Sequence, residues 1–410
     1  METSASQIRP GRLRIWAIRS ALLVAVLIVV VGIGELAVRL IVPENVWRLH
    51  EGPADWLRDE VLGWVHKPNL DITSTIDGRM IHFRTNEDGI TPPDAMRART
   101  PGVTRIMLFG DSSVIGRWIP QDQTIHAHLE RMLKARGLAV EVVNAAVPGY
   151  STDQSLLQME RLVPLYRPDI VAYGLHSNDF GGNVSREAYR NAKPMFVLDE
   201  QGSLDLLPPQ FRTDGIVQRP YRGLNKVIQR SALYRVLQPF LLRARAEMGS
   251  WTNRNLMGIE WASMHYRPEE LELFDWKLLG AFLERMDRIV REQDPEASFF
   301  LYHHPDLAAT WEPFIEQVLA ESGVPADRYD RFALEKRLEA VAGEHGVAFC
   351  PVVEHFLAHQ ERGPFHLLPR DYHCNPAGYE LTAELLIEFL IARGALAGPA
   401  PADTETLRSS

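Results

Sequence analysis

From Thr104 onward the chain alternates between short apolar runs and stretches with helical spacing. TRIMLF (104–109) is an apolar run bounded by turn residues and predicts a buried strand. Residues 122–136 read as an amphipathic helix, EVVNAAV (141–147) as a second strand and 152–166 as a second helix. DIVAYG (169–174), SFFLY (298–302) and VAFCPV (347–352) predict a third, fourth and fifth strand. Helical stretches at about 270–293, 327–344 and 376–393 surround the last two. Strands alternating with helices predict parallel pairing and a three-layer α/β fold.

The rhythm breaks at 184–270, between the third and fourth strands. MFVLDEQGSLDLL (195–207) predicts a hairpin around Gln201 and Gly202, and the basic, amphipathic stretch 221–247 predicts a helix. Such an insertion is either a lid or substrate wall, or a surface decoration. Upstream, residues 43–100 carry Trp, Gly and Pro punctuation and short extended runs, and read as a β-rich lead-in to the domain at 101–395. Residues 396–410 read as a flexible tail.

The N-terminus has a different pattern. Ala21 to Gly34 is an unbroken apolar run, extended on both sides within 16–42. A bilayer core needs about 20 helical residues, which the extended stretch supplies if its Arg side chains snorkel to the interface. Arg9, Arg12, Arg14 and Arg19 precede the run. By the positive-inside tendency the tail 1–15 stays cytoplasmic and the rest is exported. A cleaved signal peptide and a buried soluble helix are the alternatives, but no convincing cleavage motif follows Gly34. The expectation is a single-pass anchor in the inner membrane with a periplasmic domain.

Composition changes little in this picture. Hydrophobic residues make up 46% and charged residues 24%, ordinary for a globular protein, and the formal net charge is -9. An acidic chain without a long Lys/Arg cluster lacks the footprint of a nucleic-acid binder. No glycine-rich phosphate loop occurs. Cys350 and Cys374 offer no zinc spacing on their own; they either pair, as an exported domain permits, or are two unrelated thiols.

Open α/β sheets bind ligands outside the carboxyl ends of their strands. Polar clusters sit at three of those ends: Gly110-Asp111-Ser112-Ser113, Pro148-Gly149-Tyr150 and His176-Ser177-Asn178-Asp179. A fourth, Asp371-Tyr372-His373-Cys374-Asn375, precedes the final helix. Together they hold the parts acyl transfer needs. The Ser112 hydroxyl needs an adjacent base, which His373 can be. Asp371 can hold the imidazole in the right tautomer. The backbone N–H groups of Ser112 and Gly149 and the Asn178 amide are candidate oxyanion donors. Each motif alone is weak: Gly110-Asp111-Ser112 also suits a turn or helix cap, and Asn178, Asp179 and Asp153 suit capping. Their order along one sheet edge is the stronger signal.

These residues resemble the SGNH/GDSL hydrolase superfamily, whose four signature positions fall on Ser112, Gly149, Asn178 and His373. The likeness spans about 104–393 and leaves the insertion outside. Leu62-Gly63-Trp64 and Arg84-Thr85-Asn86-Glu87-Asp88-Gly89 also look like the upstream stretch of membrane-anchored bacterial members. The resemblance implies a flavodoxin-like sheet, a shallow open site and ester hydrolysis without a cofactor. Two features depart from it. Asp371 and His373 are separated by one residue rather than two, and Ser113 stands where many relatives have a bulky apolar residue.

No Gly-x-Ser-x-Gly elbow occurs, which disfavours the α/β-hydrolase fold. Glu354, His355 and His359 have a spacing that can bind zinc, but the His-Glu-x-x-His motif is absent and solvated helix polarity reads better; no metal is expected. His303 and His304 suit strand-end packing. The expected activity is cleavage of O-acyl esters, O-acetyl among them, on extracytoplasmic carbohydrate or small esters. An O-acyltransferase of the same fold acting on cell-surface polysaccharide is the first alternative, and a non-catalytic envelope scaffold the second.

Overall fold

A computed structural model describes residues 10–41, 55–76, 79–188, 191–211, 231–234, 237, 264–368 and 371–396. These fall into two units. One holds helix α1 (Pro10–Ile41) with the described residues of 231–237; the other holds 55–211 and 264–396.

In the first unit, Ala21–Ile41 of α1 has a mean hydropathy of 2.8 over 21 residues, apolar and long enough to be a membrane span or a signal sequence. Its one acidic residue, Glu35, accepts hydrogen bonds from Ser231 Oγ at 2.7 Å, from the Ala232 and Leu233 amides at 2.9 Å each, and from Arg39 Nε at 2.8 Å. Four hydrogen bonds thus compensate a carboxylate placed in an otherwise apolar stretch of helix. Of the helix predicted at 221–247, positions 232–234 and 237 are helical, Ser231 is not, and the remainder lies outside the described residues.

The second unit is built on five parallel strands: β1 (Thr104–Gly110), β2 (Val140–Asn144), β3 (Ile170–Leu175), β4 (Ser298–His303) and β5 (Ala348–Cys350). Their order is β5-β4-β3-β1-β2, the flavodoxin-like arrangement. The helices used below are α2 (Ser112–Ile115), α3 (Ile125–Ala135), α4 (Thr152–Tyr166), α5 (Asn178–Asn183), α6 (Trp276–Gln293), α7 (Ala333–Glu344) and α8 (Pro376–Ala392). Alternate strand residues serve opposite faces. Met107, Phe109, Val171 and Tyr173 pack in one core with α4, α6 and α7. Ile106, Leu108, Ala172 and Tyr302 pack in a second core with α3 and α8. A sheet covered on both sides explains why β3, and β1 from Ile106 onward, are apolar rather than alternating.

The second predicted strand is shorter than expected. It ends at Asn144; beyond it the Ala145 and Val147 amides still donate to the Leu108 and Gly110 carbonyls at 2.8 and 3.1 Å, while the Ala146 amide bonds the Asn144 side chain at 3.0 Å. The fifth stops at Cys350, and beyond it the amides of Val352 and Val353 donate to the buried Glu335 carboxylate at 2.7 and 3.1 Å instead of to a ladder. The stretch 270–293 splits, with Asp275 capping α6 through the Leu278 amide. A helix at Glu312–Ser322 has no counterpart in the sequence reading.

The lead-in folds as two antiparallel ladders, Trp56–Asp59 with Gly63–His66 and Asp71–Ile76 with Arg79–Arg84. It is stitched to the sheet domain. Tyr150 donates to the Trp64 carbonyl at 2.5 Å, Gln154 to the Leu62 carbonyl at 2.8 Å, and Asn86 to Tyr166 Oη at 2.7 Å. Thr91 forms an antiparallel bridge to Asn144 on the outer edge of β2, with amide-to-carbonyl distances of 3.0 and 2.7 Å. The hairpin predicted at 195–207 is present, Met195–Leu198 pairing with Leu204–Leu207.

Candidate active site

The strand order reverses between β1 and β3, so a crevice opens at their carboxyl ends. The chain leaves β1 through Gly110, whose φ is +149°. A Cβ there would meet Val114 Cγ2 at 2.4 Å and the Gly174 carbonyl at 2.8 Å. This turn delivers Ser112 as the first residue of α2. Asp111 caps that helix, its Oδ1 accepting from the Ser113 amide at 2.8 Å. Ser112 Oγ lies 3.4 Å from Asp111 Oδ2. Ser113 serves structure instead: its carbonyl accepts from Tyr379 Oη at 2.7 Å and ties α8 to the turn.

Gly149 occupies a left-handed turn after β2, with φ +79°. The lead-in braces this turn, since Trp64 Nε1 donates to the Pro148 carbonyl at 3.2 Å. Asn178 begins α5. Its Nδ2 donates to Asp111 Oδ2 at 3.0 Å, which links the third motif to the first. His373 lies on Asp371–Cys374, a strand paired antiparallel with His366–Leu368. Asn375 follows, its Oδ1 capping α8 through the Gly378 amide and its Nδ2 bonding the Pro364 and His366 carbonyls.

Ser112, Gly149 and His373 meet on the floor of one cleft of about 230 Å³. Its walls are Trp56 and Trp64 from the lead-in, Trp118 after α2, and Asn191 from the insertion. The Trp118 ring packs on the His373 imidazole with centroids 4.0 Å apart and planes at 31°. Asn178 joins this floor through Asp111. Asp371 sits on the same strand as His373; its side chain lies outside the described residues, so the predicted contact to His373 does too. The four wall residues were not among the sequence candidates. Leu62-Gly63-Trp64 and the reading of 184–270 as a lid or substrate wall were the hints of them.

Buried polar groups crowd behind the floor. Asp179 accepts from Tyr173 Oη at 3.0 Å and from the His176 amide at 3.1 Å; burial, and then the nearby Asp111, push its carboxyl well above the usual value. It braces the loop after β3. Burial alone would raise Asp306, but His176, His265, His303 and the Ala308 amide together hold it below the usual carboxylate value. His303 contacts Glu335 at 3.3 Å and His304 contacts Cys374 Sγ at 3.5 Å, which makes both strand-end packing residues. Cys350 and Cys374 are separate, buried thiols, so the pairing left open by the sequence does not form. His359 Nδ1 lies 2.9 Å from the His355 carbonyl, and among the described residues no His, Cys, Asp and Glu side chains cluster as a metal site.

One ion pair fixes the insertion. Lys193 and Asp153 are both fully buried and 2.5 Å apart, and Lys193 Nζ also donates to the carbonyls of Gly182 at 2.8 Å and Ser185 at 3.2 Å. Three oxygens around one amine complement an ammonium. Burial pushes the Asp153 carboxyl up to about 6 against the pull of Lys193. Asp153 opens α4, and Lys193 lies two residues after Asn191. The pair therefore pins a cleft wall to the sheet domain.

A strand-to-helix turn presenting a serine, a left-handed glycine turn and a histidine thus line one cleft. The sequence model of the GDSL-like lipase/acylhydrolase family matches residues 108–381, and the chain belongs to that family. Solved structures similar to it include TesA, at 14% identity over 72% of this chain and 100% of that one, with a TM-score of 0.37. An acetyl xylan esterase, AlAXEase, is 13% identical over 70% and 100%, with a TM-score of 0.38. A Clostridium thermocellum family 3 carbohydrate esterase is 12% identical over 72% and 100%, with a TM-score of 0.35. No curated protein matches the chain.

Proposed function

We propose that this chain is a serine esterase that removes short O-acyl groups from carbohydrate or small alcohols outside the cytoplasmic membrane. The observation that carries the reading is the meeting of Ser112, Gly149 and His373 on one cleft floor, with Asn178 joined to it through Asp111. In the proposed reaction His373 takes the Ser112 proton as Oγ attacks the ester carbonyl. The Ser112 and Gly149 amides and the Asn178 side chain receive the negative oxygen. The tetrahedral species collapses to an acyl-serine as His373 returns the proton to the leaving alkoxide. Water, activated by His373, then releases the acid and frees Ser112. Asp371 holds the His373 tautomer in this scheme.

Size supports a short acyl group, because about 230 Å³ lies below the roughly 300 Å³ at which drug-sized ligands begin to fit. Three tryptophans and an asparagine around the floor suit a sugar. The apolar face of a pyranose stacks on indole, and its hydroxyls bond amides. The four arginines before the apolar helix support export of the domain.

The deciding experiment assays a panel of acyl esters and O-acetylated glycans against the wild type and Ser112→Ala. Acid released by the wild type alone supports the reading. Transfer of a labelled acyl group to added glycan, in place of release, would make the protein an acyltransferase. Absence of both, with no labelling of Ser112 by a fluorophosphonate, would leave the non-catalytic scaffold.

A further inference from the structure

We infer that His176 is a positioning residue that sets the orientation of the Asn178 amide; the inference rests on the esterase reading above. His176 follows β3 and is fully buried. Its Nδ1 lies 3.0 Å from Asn178 Oδ1, while Asn178 Nδ2 lies 3.0 Å from Asp111 Oδ2. A carboxylate only accepts hydrogen bonds, so the nitrogen end of the Asn178 amide must face Asp111. The oxygen end then faces His176 and requires a donor.

The proton therefore sits on Nδ1. A competing contact exists, with the Asn178 backbone amide 3.4 Å from the same Nδ1, and it would need the opposite tautomer. The shorter contact decides. An unprotonated Nδ1 would put its lone pair against that of Asn178 Oδ1 at 3.0 Å. The ring is also held neutral. Burial lowers its proton affinity, and the nearby His303 adds to this, against the pull of Asp306 and Asp111 and the bond to Asn178. The backbone is pinned as well, with the His176 amide on Asp179 Oδ2 and Ser177 Oγ on Asp306 Oδ2 at 3.1 Å each.

The consequence concerns the transition state. An asparagine amide presents a donor or an acceptor depending on a half-turn of its terminal bond. Asp111 and His176 grip the two ends and leave the second N–H of Nδ2 for an oxyanion. Removal of the His176 donor frees that rotation without touching Ser112 or His373.

The test uses the full chain in detergent with 4-nitrophenyl acetate. His176→Phe removes the donor, and His176→Asn keeps one at the Nδ1 position. His176→Leu, smaller than Phe, close to histidine in volume and without a donor, substitutes for the Phe variant if that one does not fold. We expect the donor-free variant to lose about tenfold to a hundredfold in kcat, less than complete loss of an oxyanion donor, with KM within about twofold. His176→Asn should recover most of the rate. In an Asn178→Ala background the same His176 substitution should add nothing, because its effect passes through Asn178. Wild-type turnover in the donor-free variant, or losses that multiply in the double variant, would overturn the inference. Full activity of Ser112→Ala would instead overturn the esterase reading beneath it.

Discussion

The floor and the walls of the cleft come from different parts of the chain. The floor is made by turns at the carboxyl ends of β1 and β2 and by the short strand before α8, all within the stretch that matches the family. Much of the wall comes from additions: Trp56 and Trp64 precede the sheet domain, and Asn191 belongs to the insertion. The floor's groups are fixed by the sheet itself, through Gly110, Asp111 and the Asn375 cap. The walls are fixed by long-range stitches, Trp64 to Pro148 and Lys193 to Asp153. The lesson is a division of labour, in which the sheet carries the residues proposed for chemistry and the additions supply much of the wall around them.

That division makes ordered predictions. Ser112→Ala and His373→Ala should each lower kcat by about 10⁴-fold or more, for every ester tested. A loss confined to glycan esters would erase the distinction between floor and wall. Lys193→Ala leaves the Asp153 carboxyl buried alone and should cost about 3–5 kcal/mol in denaturant unfolding. The paired change Lys193→Met with Asp153→Leu should restore much of that stability. Restored stability with unchanged glycan selectivity would show that the wall does not depend on this pin.

Acid should weaken floor and wall together. Burial drives His66, which stacks under Trp56, down to about 3, and His126 down to about 4; His176 and His304 are lowered as well. The unfolded chain takes these protons near pH 6.5, whereas the folded chain refuses them until lower pH. Stability therefore falls as pH drops from about 6.5 toward 4, by up to about 1.4 kcal/mol per pH unit for each histidine. Asp153, raised to about 6, and Asp179, also raised, act in the opposite direction over part of this window, because the folded state keeps protons the unfolded state has lost. The histidines outnumber them, so the urea midpoint should be lower at pH 5 than at pH 7.5. The smallest effect should be that of Trp56→Ala: KM for an O-acetylated glycan should rise about tenfold while 4-nitrophenyl acetate turnover stays near wild type. Equal effects on both substrates would place Trp56 in the floor's support, not in a sugar subsite.

The sheet was legible because its strands are continuous apolar runs, and α4 falls at the residues the periodicity marks. The strand ends were less so. Asn144 and Glu335 divert backbone amides by side-chain bonds that no periodicity records. The helix at Glu312–Ser322 was hidden by Pro313, which reads as a breaker yet is favourable in a first helical turn. Of the candidate site, Ser112, Gly149 and His373 were legible as motif residues and line one cleft, with Asn178 joined through Asp111. The walls were not, since Trp64 and Pro148 meet across 84 residues of sequence. His176 escaped for another reason: a buried histidine at a strand end looks like packing until its partner is seen.

The bridge from Thr91 to Asn144 bears on how the molecule behaves in a crowd. β2 is a border strand of the sheet, and border strands invite pairing with a neighbouring chain. At Asn144 both the amide and the carbonyl are already taken by Thr91. The lead-in thus doubles as a guard against self-association. A shortened chain beginning at residue 101 would keep every group proposed for catalysis and lose that guard, leaving β2 open to strand-by-strand growth into aggregates.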